Sequence, residues 1–309
     1  MLFYKVLKRG EFVTVFFYLK KMNKFLFIYL TSILLYACNN EKKADEQSAV
    51  RIVCVSKQYN EIIGSLHAEK NLVATDLSSV YPNSINNLPK VGYHRALSAE
   101  AVLSQKPTLL IHDKNIGPDH VVKQLEKLKL PMMSFNTEAN DFPSTYKLIE
   151  EIGVYFKRKS EAEKLISTLK KDIQKVDSIQ VSVKKPRVVI IHFGQAKQHY
   201  LIVTKKSPAA KIIELAGGQL VVDGEKGMKI LSPEAIATAN PDVIFMTDYG
   251  YDRLNGIEGA KKLPGIALTE AAKNNRIYRL NEYDIMYLGP RSGKCTLLIQ
   301  QLLFPNERK

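Results

Sequence analysis

The chain has no tryptophan and only three cysteines among its 309 residues. So few thiols exclude a small fold stapled by disulfides and leave no Cys-rich metal knot. Enzyme signatures are missing too. There is no Gly-x-Ser-x-Gly elbow, no phosphate loop of the Gly-Lys-Ser type and no Gly-x-Gly-x-x-Gly after the first apolar strand, so a binding protein is expected rather than an enzyme. His67, His112 and His120 have neither the mutual spacing nor the carboxylate company of a zinc site. Acidic residues are in deficit, with 31 Asp and Glu against 45 Lys and Arg, for a net charge of +14. The first 37 residues inflate that surplus, since they hold six Lys or Arg and one Glu and leave +9 for the rest. The remaining charge is dispersed over helical faces with interleaved Glu, as around Lys157-Arg158-Lys159 and Lys170-Lys171. Nucleic-acid binding would need basic residues alternating with aromatics on one surface, so no nucleic-acid partner is expected; a modest preference for anionic ligands is what survives.

Long apolar runs are also scarce, and the one near the N-terminus is informative. Lys20, Lys21 and Lys24 precede an apolar run over 25–36, which is too short for a permanent span but suits a signal-peptide core. The run ends in Leu35-Tyr36-Ala37-Cys38, which resembles the bacterial lipobox, with Cys38 as the acylated mature N-terminus. Residues 1–37 are thus expected to be a signal peptide, with Met22 as the true start. Polar residues 38–49 read as a lipid-anchored tether. Cys54 and Cys295 read as small buried hydrophobes.

One segment occurs twice. Leu97-Ser98-Ala99-Glu100-Ala101 leads to Pro107 and an apolar run, and Leu231-Ser232-Pro233-Glu234-Ala235 leads to Pro241 and another. Each copy predicts a short helix capped by Ser, stopped before Pro and followed by a strand. The β-branched runs at 51–55 and 187–191 would open each half as a central strand. The fold expected is therefore α/β, two similar lobes with parallel sheets, N-terminal over 50–143 and C-terminal over 183–309. Helical periodicity over 144–182 predicts one long connecting helix between them. A single helical connector permits small rocking rather than wide closure, and the cleft between the lobes is where a ligand belongs.

From residue 50 to 305 the chain resembles the substrate-binding proteins of ABC importers that have a helical backbone between lobes, the class serving cobalamin, siderophores and haem. Ser79-Val80-Tyr81-Pro82, Leu88-Pro89-Lys90-Val91-Gly92-Tyr93-His94-Arg95, Gly117-Pro118 and Gly289-Pro290-Arg291 make it most similar to the haem-binding lipoproteins. Where those relatives carry Gly-rich loops, this chain has Ser56-Lys57-Gln58-Tyr59 and Ile285-Met286-Tyr287-Leu288, which narrow the cleft or add contacts.

The resemblance implies ferric haem as the transported ligand, a permease dimer with its ATPase subunits as partner, and a monomer lipid-anchored on the periplasmic side of the cell envelope. A ferric siderophore, cobalamin or a ligand-free envelope scaffold stays open at this point. Tyr93, in a turn opened by Gly92, is the axial candidate, because a hard phenolate oxygen suits Fe(III). Arg95 would hydrogen-bond that oxygen or pair with a propionate, and His94 is a weaker axial candidate. Arg291 and Lys57 are candidates for the propionates on a basic rim. His199 and Tyr200 would cap the far face from the other lobe, whereas His192 reads as a satisfied buried histidine. Glu100 and Glu234, at matched sites of the repeat, are the expected permease-docking residues.

Overall fold

The computed structural model describes residues 50–179, 184–193 and 199–305; the leader, Cys38 and the tether lie outside them. The first sheet is fed by β1 (Ile52–Cys54), α1 (Lys57–Ser65), β2 (Leu72–Thr75), a small hairpin of β3 (Gly92–Tyr93) and β4 (Ala96–Leu97), α2 (Ala99–Ser104), β5 (Leu109–Ile111), α3 (Asp119–Lys127) and β6 (Met132–Met133). Its order is β2-β1-β5-β6, all parallel. Ile52 and Cys54 face one core, and Val53 and Val55 face another on the opposite side. Burial on both faces explains why the strand reads as a continuous apolar run.

The segment expected as one helix over 144–182 is two. α4 (Phe142–Tyr155) and α5 (Lys159–Ser178) are separated by a break at which Lys157 has a φ of 56°. α4 packs Leu148, Ile149 and Ile152 into the first lobe, so α5 alone is the long connector. Gly153 marks the reversal, for a Cβ there would lie 2.5 Å from Cβ of Ala162, closer than two helices can tolerate.

The second sheet comprises β7 (Arg187–Phe193), β8 (Tyr200–Val203), α6 (Pro208–Leu215), β9 (Gln219–Leu220), β10 (Met228–Leu231), α7 (Pro233–Ala239), β11 (Val243–Thr247), α8 (Asp248–Tyr251), α9 (Ile257–Lys261), α10 (Glu270–Lys273), β12 (Ile277–Leu280), α11 (Glu282–Ile285) and α12 (Ser292–Leu303). Its order is β10-β8-β7-β11-β12, with β9 beside β7. The expectation of a parallel sheet holds for β7, β9, β11 and β12 and fails at β8, which pairs antiparallel with both β7 and β10, because the connection from β7 to β8 is too short for a helical crossover. Val188 and Ile190 face one core, Val189 and Ile191 the other. The connector is tied to this lobe by α12, whose Gln300 Nε2 donates to the Val176 carbonyl at 3.1 Å.

Both repeat helices carry the expected cap. Ser98 Oγ accepts from Ala101 N, and Ser232 Oγ accepts from Ala235 N. Cys54 and Cys295 are free and buried, and burial pushes both thiols up, away from reactivity.

Candidate functional site

Strand direction decides where chemistry can sit. The C-terminal ends of β1, β2 and β5 deliver Ser56, Asp76 and His112-Asp113, while the ends of β7, β11 and β12 deliver His192, Asp248 and Asn281-Glu282. These two edges meet, which is the usual ligand position in α/β folds.

The Leu-Pro-Lys-Val-Gly-Tyr stretch is threaded along β2. Thr75 N donates to Pro89 O at 3.0 Å, Val91 N to Thr75 O at 3.0 Å and Leu77 N to Gly92 O at 2.8 Å. Gly92 then takes a φ of +102°, a left-handed value that favours glycine, and turns Tyr93 outward with 43% of its surface exposed. The far side of the hairpin is held by Gly117, whose N–H donates to His94 O and whose carbonyl accepts from Leu97 N, both at 2.9 Å. Tyr93 is therefore an exposed aromatic ring on a fixed mount.

The neighbour in contact with that ring is His94, with centroids 4.2 Å apart. His94 Nδ1 lies 3.3 Å from Asp76 Oδ2 and 3.3 Å from Ser78 Oγ. Asp76 is fully buried, which pushes its carboxyl up, but hydrogen bonds from His94, Ser78 and Ser79 outweigh burial and hold it below the usual carboxylate range. Arg95 is exposed and donates through Nε to Asn115 Oδ1 at 2.8 Å. Sequence reasoning thus gave Arg95 the place beside Tyr93 that His94 takes.

Across the cleft, His192 is half-buried and its ring stacks near-parallel on Tyr249 at 6.4 Å. Burial pushes its imidazole below the ordinary value. Arg253 covers Tyr249, with its guanidinium carbon 4.4 Å from the ring centroid. His199 is exposed just ahead of β8; residues 194–198 before it lie outside the described residues. Tyr200 is not at the cleft. Its side chain is buried in the second lobe among Ile236, Ala260 and Ile266, its hydroxyl donates to Pro264 O at 2.8 Å, and burial pushes its phenol up to about 12. Adjacent strand residues point to opposite faces, so Tyr200 faces inward for the same reason that Ile202 does.

Arg291 and Lys57 do not form an open basic rim. Arg291 donates from Nε to Glu61 Oε1 at 2.8 Å and from Nη2 to Glu61 Oε2 at 3.2 Å, pairs with Asp284 through Nη1, and lies over Tyr81 at 4.0 Å from the ring centroid. The Tyr287 hydroxyl also donates to Glu61. Glu61 comes from the first lobe, on a helix buried from Tyr59 to Gly64, and the other charges come from the second. Lys57 Nζ donates to Glu282 Oε1 at 2.8 Å and Gln58 Nε2 to Leu288 O at 2.6 Å. The Tyr283 hydroxyl hydrogen-bonds the Val80 backbone. The two bulky segments singled out in the sequence therefore join the lobes. Glu61 was missed by sequence reasoning, although its position directly before Ile62 and Ile63 was the available signal.

What remains open at the cleft is apolar and aromatic. Leu77 is 57% exposed, and Val80, Tyr81 and Tyr93 on one side and Tyr249 on the other are exposed as well. A cluster of exposed large hydrophobics rimmed by charge marks a binding surface. Glu100 and Glu234 both project into solvent from the first turns of α2 and α7, and the Ser232 hydroxyl and the backbone lower the Glu234 carboxyl.

Residues 52–283 match the family described as periplasmic binding protein. Over 276 residues, covering 88% of this chain and 85% of the relative, the chain is 22% identical to the ABC transporter substrate-binding lipoprotein YvrC of Bacillus subtilis, itself uncharacterised. Over 210 residues, 65% of this chain and 69% of the relative, it is 28% identical to IsdE of Staphylococcus aureus, a protein of a high-affinity haem uptake system. Among solved structures, the apo periplasmic haem-binding protein RhuT from Roseiflexus sp. RS-1 superposes with a TM-score of 0.76 at 26% identity, covering 84% of this chain and all of that one.

Proposed function

The chain belongs to the periplasmic binding protein family, and from that premise we propose that it is the substrate-binding component of an ABC importer and carries haem in the cleft between its lobes. The observation that carries the reading is Tyr93, an exposed phenol fixed by the β3–β4 hairpin at the C-terminal edge of a parallel sheet. The haem-binding function of RhuT and the haem-uptake role of IsdE support it.

In this reading the ferric iron of the cargo takes the Tyr93 oxygen as a ligand, and the phenol proton leaves as the metal binds. Leu77, Val80, Tyr81 and Tyr249 give the macrocycle apolar and aromatic surface. His94, held by Asp76, keeps the Tyr93 ring in its orientation. Arg95, exposed and bonded through Nε to Asn115, and His199, exposed just ahead of β8, would meet the edge of a large planar ligand. Glu100 and Glu234 present one carboxylate per lobe to a permease with its ATPase subunits. The lipoprotein relative YvrC supports an extracytoplasmic position, with Cys38 as the acylated residue after a leader over 1–37.

Titration with hemin followed in the Soret region tests the proposal. The wild type should redden with a tyrosinate-type ferric spectrum, and Tyr93→Ala should weaken binding or change the spectrum. An unchanged spectrum and affinity in that variant would remove Tyr93 from the site, and a wild type that takes up no hemin would overturn the haem reading. Removing both Glu100 and Glu234 should abolish transport and leave hemin affinity intact.

A further inference from the structure

Two cations reach across the junction of the lobes, and they are paired in different ways. Arg291 meets Glu61, whose side chain is 1% exposed, and also Asp284 and the Tyr81 ring. Among the described residues Lys57 has a single carboxylate partner, Glu282, and that pair is partly solvated, with side chains 21% and 27% exposed. The ammonium lies 5.3 Å from the Tyr283 ring centroid and 5.6 Å from that of Tyr287. Glu282 is the first residue of α11, with its backbone N–H donating to Asp248 Oδ1 at 2.9 Å, so its main chain stays fixed when its side chain swings away. His192, on the second lobe's side of the cleft, lies within electrostatic reach of Glu282, Lys57 and Asp248.

We propose that Glu282 is a built-in competitor for the carboxylate arms of the cargo, and that a cargo carboxylate displaces it from Lys57 on binding. The inference rests on the haem reading above and adds which residue selects for the acid groups of that ligand. The exchange leaves Lys57 paired before and after binding, so the cleft never holds an uncompensated cation, and the released Glu282 side chain gains solvent. A pair that is partly exposed on both sides is weak enough to exchange, whereas the Arg291–Glu61 pair is not, because withdrawing Arg291 leaves the buried Glu61 carboxylate without water or counter-charge. The same competition favours release, since Glu282 returns to Lys57 as the cargo departs. The selected class is a planar apolar ligand with carboxylate arms.

The test uses ferric protoporphyrin IX and its dimethyl ester as probes of the purified protein. Glu282→Ala should bind the diacid about fivefold more tightly, the scale of one exposed ion pair, with slower dissociation and unchanged affinity for the ester. Lys57→Met should weaken the diacid toward the ester and leave the ester unaffected, with the difference between the two probes shrinking as salt is raised in the wild type. Equal diacid affinity in Glu282→Ala and wild type would overturn the proposal. So would an ester whose affinity follows that of the diacid in both variants. A wild type that binds neither porphyrin would instead overturn the haem reading itself, and this inference with it.

Discussion

Arg291→Met removes the cation from the buried junction. It leaves Glu61, which loses contacts of 2.8 and 3.2 Å, and Asp284, which loses its ion pair, facing each other without compensation; the Tyr81 stack at 4.0 Å goes as well. The Tyr287 hydroxyl is the one partner from the cluster that still donates to Glu61. Withdrawing one partner from a buried pair costs about 3–5 kcal/mol. For a protein of this size, each kcal/mol lowers the melting temperature by about 2–4 °C, so a drop of at least about 6 °C is expected. The loss should shrink as pH is lowered through the carboxylate range, because Asp284, which burial already pushes above its ordinary value with Arg291 present, takes up a proton once stranded. Lys57→Met is the internal control, since its pair is partly solvated and worth about 0–1 kcal/mol. Thermal melting of the ligand-free variants, followed by circular dichroism across that pH range, reads both numbers. A melting temperature for Arg291→Met within about 2 °C of wild type, or an equal loss for Lys57→Met, would refute the assignment of the junction's strength to the buried pair.

Three further outcomes are expected. Gly153→Val should destabilise the protein by about 1–3 kcal/mol, read by urea unfolding, because a Cβ 2.5 Å from Ala162 forces α4 and α5 apart. Tyr200→Phe deletes the bond to Pro264 O and should cost about 1 kcal/mol in the same assay while hemin affinity stays at the wild-type value, which would fail if the side chain reached the ligand. Burial holds the imidazole of His192 below 6.5, so the unfolded chain binds that proton more readily; the stability it contributes is present above 6.5 and is lost as pH falls through the folded value. His192→Asn should flatten that part of the pH–stability curve, with His112, also lowered by burial, supplying what slope remains.

The two-lobe α/β architecture was legible in the residues alone, because strands buried on both faces must read as apolar runs, and the Ser-capped repeat occurs once in each half. The sequence also determined where Tyr93 would be shown, since a glycine at positive φ after an apolar Val91 turns the next side chain outward. Local signals of this kind act within a few residues and survive without tertiary context. Helical periodicity over 144–182 did not reveal the break at 156–158, because either side of it is helical and the reversal is dictated by the fit of Gly153 against Ala162. The direction of β8 was likewise invisible, for an apolar strand reads the same parallel or antiparallel, and its pairing decided that Tyr200 points into the core. The roles of Arg291 and Lys57 were decided by the tertiary structure alone. A loop cation looks available in sequence, and only the meeting of two lobes, which brings Glu61 to Arg291 and Glu282 to Lys57 from more than two hundred residues away, shows that each already has a carboxylate.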